Sequence, residues 1–116
     1  MSFWVYLCNP ETGVPLELAE AHEEGGTYAL GGTTEAGLNV TYNYSSVYRP
    51  HGFNLRDLDG KTARETTPDL ERVIAAIGTV EPDNNYWAPT PGNAGRALHV
   101  LARWGRELPH GVWAVH

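Results

Sequence analysis

The sequence predicts an α+β fold: a mostly antiparallel sheet of about four to five strands with two helices packed on one face. Three observations carry this expectation. Residues 3–44 hold short strand-like runs separated by turn residues, with period-two alternation at 14–19 and 38–44, residues 62–108 hold two apolar stripes at helical spacing, and the chain closes on the short apolar run 112–115. The 116 residues fit one domain, residues 1–116, without room for two. At this size about two thirds of the unfolded surface can be buried. An apolar fraction of 41% with four tryptophans supplies the core.

Phe3–Cys8 is the first strand, with Phe3, Val5 and Leu7 on one face and Trp4, Tyr6 and Cys8 on the other. Asn9-Pro10-Glu11-Thr12-Gly13 is turn chemistry, because proline fixes φ and glycine supplies φ > 0. Val14, Leu16 and Leu18 then alternate with Pro15, Glu17 and Ala19, so the two runs read as a β-hairpin. Pro15 places the second run at a sheet edge. A polar loop ends in Gly25-Gly26, Thr27–Leu30 reads as a short strand, and Gly31-Gly32 as a second turn. The clearest alternation sets Leu38, Val40, Tyr42 and Tyr44 against Asn39, Thr41 and Asn43. That strand should bury the first set and present the amide-rich second.

Two helices follow. Leu70, Val73, Ile74 and Ile77 recur at i, i+3, i+4, i+7, and Gly78 is a natural stop. Two starts stay open. Thr62 with Glu65 forms a capping box, which would put Pro68 inside the helix; alternatively Thr67 is the cap and Pro68 the first helical residue. The second helix starts at Thr90-Pro91, buries Ala94, Ala97, Leu98, Leu101, Trp104 and Leu108, and ends before Pro109 and Gly111. Val112–Val115 returns to the sheet.

The net charge of −6 is distributed unevenly. Residues 1–48 carry six acids (Glu11, Glu17, Glu20, Glu23, Glu24, Glu35) and no Lys or Arg, whereas residues 49–116 balance eight acids with eight bases. One reading is a solvated face. The other is an acidic surface, with Glu17, Glu20, Glu23 and Glu24, that docks on a basic protein. Binding to a nucleic-acid backbone is not expected, since no basic stripe exists to release counterions. The opening residues lack the basic flank of a signal peptide. No apolar run nears the ~18 residues that span a bilayer. A cytoplasmic location is therefore expected, with no membrane partner.

Candidate chemistry is sparse. His22, His51, His99, His110 and His116 show no metal-ligand spacing, so neither a metal nor another cofactor is expected. Cys8 is the single cysteine, and in an apolar strand it reads as an inert small hydrophobe. Neither phosphate-loop glycine pattern occurs, nor does Gly-x-Ser-x-Gly. Gly92 and Asn93 at the second helix start would suit an anion or serve as an ordinary cap. Asn43, Tyr48, Arg49 and His51 offer the aromatic, amide and cationic groups of a recognition surface. By chemistry type His51 with Asp57 or Asp59 is the acid–base pair to consider. No catalytic residue is assigned.

The segments Phe3–Cys8, Glu24–Thr33, Leu38–Tyr44 and Tyr86–Gly95, with the ending Trp113-Ala114-Val115-His116, give the chain a resemblance along nearly its whole length. It resembles a family of small proteins encoded by bacteriophages and prophage-bearing bacteria. The resemblance implies a phage or mobile-element setting, hence the host-cell cytoplasm, and transfers no catalytic residue. The functional expectation is a non-enzymatic accessory protein that binds a host or phage protein, an inhibitor of a host defence nuclease being one instance. A small ligand-binding protein or hydrolase built on Tyr48–His51 and Gly92-Asn93 is the first alternative, and it predicts a pocket joining those segments. A virion or assembly component is the second, and it predicts an exposed apolar patch and an oligomer.

Overall fold

The computed structural model describes residues 2–24, 31–79 and 88–116. Their order is β1 (Ser2–Cys8), β2 (Glu17–His22), β3 (Thr33–Glu35), β4 (Gly37–Thr41), α1 (Ser45–Tyr48), α2 (Ala63–Ile77), α3 (Pro91–Glu107) and β5 (Val112–Val115). The class is α+β, and all strand pairing among these strands is antiparallel. The expected single sheet is two sheets, however. One has the order β4-β1-β5, and the other pairs β2 with β3.

Register explains which side chains meet. Phe3 faces Val40, Val5 lies between Leu38 and Val115, and Leu7 faces Trp113. One sheet face therefore carries Phe3, Val5, Leu7, Leu38, Val40, Trp113 and Val115, all buried in one core with Leu70 and Val73 of α2 and Leu98, Leu101 and Trp104 of α3. Burying each such side chain contributes about 1.5–3 kcal/mol. The opposite face keeps Trp4 exposed and Tyr6 half-buried. The outer edge of β5 is sealed by residues 59–62: Gly60 N–H donates to the Trp113 carbonyl, Trp113 N–H to the Lys61 carbonyl, and Val115 N–H to Asp59 Oδ1.

The split into two sheets is decided at Ala36. The Asn9–Gly13 turn forms as expected, with Asn9 Oδ1 accepting the Glu11 N–H at 2.8 Å and Gly13 at φ 74°. The hairpin reaches Leu16, whose N–H donates to the Leu7 carbonyl. A continuing hairpin would return the bond from Leu7 N–H to the Leu16 carbonyl. Instead both groups go to buried Ala36, which accepts from Leu7 and donates to Leu16. The Leu18 end of the second run thus pairs with β3 rather than β1, and its register is irregular. The expected strand at Thr27–Leu30 lies outside the described residues.

The alternation at residues 38–44 also stops early. Thr41 Oγ1 accepts the Asn43 N–H, a local turn that ends β4 and starts a 3-10 turn over Tyr42–Tyr44. Leu38, Val40 and Tyr44 are buried as expected, but Tyr42 is exposed and Thr41 buried. α1 is a third helix that the periodicity did not predict.

The open question about α2 resolves to the early start. Thr62 Oγ1 accepts the Glu65 N–H and Glu65 Oε1 accepts the Thr62 N–H, so the capping box wins and exposed Pro68 sits inside the helix. Around it, Thr66 Oγ1 donates to the Thr62 carbonyl and Thr67 Oγ1 to the Ala63 carbonyl. α3 starts as read, with Thr90 Oγ1 accepting from Asn93 N–H. No helix among the described residues is long and apolar enough to cross a membrane.

Tyr44 is fully buried, and burial pushes its phenol from 10.0 up to about 12. The folded state thus holds this proton more tightly than the unfolded chain does. The stability it contributes is complete below pH 10.0 and is lost as the pH rises through about 12. Urea unfolding midpoints should fall across that window, and Tyr44→Phe should flatten the fall.

Candidate functional site

The acids singled out by the charge pattern converge on the β2–β3 ribbon. Glu17, Glu20, Glu23 and Glu35 are exposed there, while Glu24 is half-buried. The ribbon's described residues contain no Lys or Arg. Glu17 and Glu35 stand directly opposite each other across the ribbon. Like charges so placed destabilise a strand pair, and Glu17 offsets this by accepting the Thr34 hydroxyl. Glu23 accepts the Gly31 N–H at 3.1 Å. Among the described residues, Glu24 alone of these acids meets a cation, Arg96 of α3 at 3.6 Å. A surface pair of that length contributes little, about 0–1 kcal/mol. The ribbon therefore keeps most of its negative charge.

Between β2 and the last turns of α3 lies a groove of about 350 Å³. Leu18, Ala19, Glu20, Ala21 and His22 form one wall, and Arg103, Trp104 and Glu107 the other. A hydrogen bond crosses it, from Ala19 N–H to Glu107 Oε2 at 2.8 Å. His22 closes one end. Its Nδ1 accepts the Glu24 N–H at 3.1 Å and its Nε2 lies 2.8 Å from the Glu35 carbonyl, so the neutral ring carries its proton on Nε2. The same ring packs on buried Trp104, with centroids 4.8 Å apart. Exposed Glu20 and Arg103 make no ion pair among the described residues. Sequence spacing offered no sign of this groove, since 88 residues separate Ala19 from Glu107.

The residues of the alternative constellation are placed differently. Asn43 and Arg49 are exposed, His51 is half-buried, and Tyr48, Gly92 and Asn93 are buried. Tyr48 and the start of α3 do meet: the Tyr48 hydroxyl donates to the Ala94 carbonyl at 2.8 Å. Asn93 caps locally, its Nδ2 donating to the Ala88 carbonyl at 3.2 Å. The His51 carbonyl accepts from Arg72 Nη1 at 3.0 Å. Asp57 is committed to the N–H of Asn54 and Asp59 to that of Val115.

Nucleophile and metal chemistry find little material. Cys8 is buried, and that burial, with the Glu35 carboxylate second, pushes its thiol up, away from the reactive thiolate. No group of three or more His, Cys, Asp or Glu side chains gathers for a metal among the described residues.

The outer sheet face is a second surface of note. Trp4 and Tyr6 stack with centroids 5.9 Å apart, and the Tyr6 ring covers Gly37 on β4. Trp4 and Tyr42 are both 37% exposed. Compared with protein families, curated proteins and solved structures, the chain shows no match, so its site is read from its own chemistry.

Proposed function

We propose that this protein is a non-enzymatic binding protein that docks the acidic β2–β3 ribbon on a basic surface of a partner protein. The carrying observation is the ribbon itself, with four exposed carboxylates and no Lys or Arg among its described residues. A surface of one sign steers an oppositely charged partner and fixes its register. Inhibition of a host defence enzyme is one role such docking would serve.

Immobilised protein should retain a basic partner from a bacterial lysate at low salt and release it as salt rises. Lys at both Glu17 and Glu23, neither of which lines the groove, should abolish retention while circular dichroism stays unchanged. Undiminished retention by that variant would remove the electrostatic reading.

A further inference from the structure

We propose that the groove between β2 and α3 receives an extended segment of the partner, which adds as a strand to the outer edge of β2 and sets a Lys or Arg side chain between Glu20 and Glu107. The inference rests on the protein-binding reading and names the chemistry of what is bound.

The wall of the groove is a strand edge rather than a patch of side chains. Five consecutive residues, Leu18 to His22, line it. β2 pairs with β3 on one side, and among the described residues no strand pairs with its other side. The Ala19 N–H shows where that edge points: it leaves the ribbon and reaches across the groove to Glu107. An edge of this kind is a template for a further strand. A helix packed tightly against it would block addition, but here a groove of about 350 Å³ intervenes. That volume falls within the roughly 300–1,000 Å³ of ligand clefts. Five strand residues span about 16 Å, the length of an extended segment of four or five residues. Ala19 and Ala21 are small and exposed, so they leave room on the sheet faces for the side chains of an added strand.

Charge selects the occupant. Glu20 and Glu107 line the groove against a single cation, Arg103, and Glu17 on β2 and Glu23 just past its end extend the negative field. The carboxylate of Glu107 now holds the place that an incoming carbonyl would take. On binding, the segment's carbonyl accepts the Ala19 N–H, and Glu107 turns to the segment's ammonium or guanidinium. No backbone donor loses its partner in this exchange, and the bond from Ala19 N–H to the Glu107 carboxylate is replaced by an ion pair between Glu107 and the segment's cation. The wall is also ready-made. His22 is held at both ring nitrogens and backed by Trp104, so little ordering remains to oppose binding.

A display library of random decapeptides, selected on the full chain, tests this directly. Enriched sequences should carry Lys or Arg flanked by β-branched residues. Their addition should shift the amide resonances of Ala19 and Ala21 and slow Ala19 N–H exchange. Ala19→Pro removes that donor without breaking a bond to β3, and should weaken the selected peptides about tenfold or more. Glu107→Lys should abolish their binding and is expected to fold normally, since Glu107 is exposed. No enrichment, or peptides that bind both variants as well as wild type, would overturn the inference. Failure here is distinguishable from failure of the docking reading: a partner lost by the Glu17/Glu23 variant but kept by both groove variants leaves the ribbon in place and discards the groove.

Discussion

Trp113→Ala should cost about 3–5 kcal/mol, a large part of the roughly 5–15 kcal/mol that holds a domain of this size together. Trp113 lies in β5 opposite Leu7 of the central strand and is 1% exposed. It is among the largest fully buried side chains, and its indole Nε1–H donates to Thr66 Oγ1 of α2 at 2.8 Å. Truncation therefore opens a cavity and cuts a tie between sheet and helix at once. Thr66→Val separates the two effects, because it leaves the indole donor buried without an acceptor. That should cost about 1–3 kcal/mol. Urea unfolding of the three proteins measures both. A Trp113→Ala variant within about 1 kcal/mol of wild type would mean that β5 does not close the core as described.

Gly95→Ala is expected to destabilise, against the ordinary preference of helices. In an open helix this change would gain about 1 kcal/mol. Here the new methyl group would fall on the carbonyl oxygen of Gly78 and 2.8 Å from its carbonyl carbon. Both atoms are backbone at the C-cap of α2, so no side chain can swing aside. α2 and α3 would have to separate at this contact, at a cost of about 1–3 kcal/mol or more. Gly105→Ala is the internal comparison. Its Cβ would stand 3.1 Å from Thr67 Oγ1 and 3.3 Å from Ala63 Cβ, which small adjustments relieve. Unfolding midpoints should therefore rank Gly95→Ala well below Gly105→Ala, and the reverse order would contradict this helix crossing.

How far the fold was legible depended on whether a signal was local. The alternation of Phe3, Val5 and Leu7, the stripe from Leu70 to Ile77 and the Thr90-Pro91 start are written in neighbouring residues, and each produced the element expected. The division into two sheets is not local. It turns on Ala36 taking the Leu7 N–H and the Leu16 carbonyl, and nothing in Glu35-Ala36-Gly37 announces that. β3 is only Thr33–Glu35, without an apolar residue to set a period. Pro68 misleads because a proline usually marks a helix start, whereas the reciprocal Thr62–Glu65 cap outweighed it.

The candidate site divides the same way. Its charge was readable, since the acids of β2 stand in one run of sequence. Its shape was not, because the second wall comes from Arg103, Trp104 and Glu107. Among the polar-loop residues, type alone could not separate a presented aromatic from a pinned one. Tyr48 is pinned, its hydroxyl bound to the Ala94 carbonyl, whereas Tyr42 in the neighbouring turn is exposed.

The salt dependence of affinity tests the docking account most directly. With a partner recovered from the lysate and purified, the dissociation constant is measured over a series of salt concentrations for wild type and for the variant with Lys at Glu17 and Glu23. The acidic ribbon predicts wild-type affinity that falls steeply with salt, and a variant that binds weakly at every concentration with a shallow dependence. Equal affinities and equal slopes for the two proteins would contradict it.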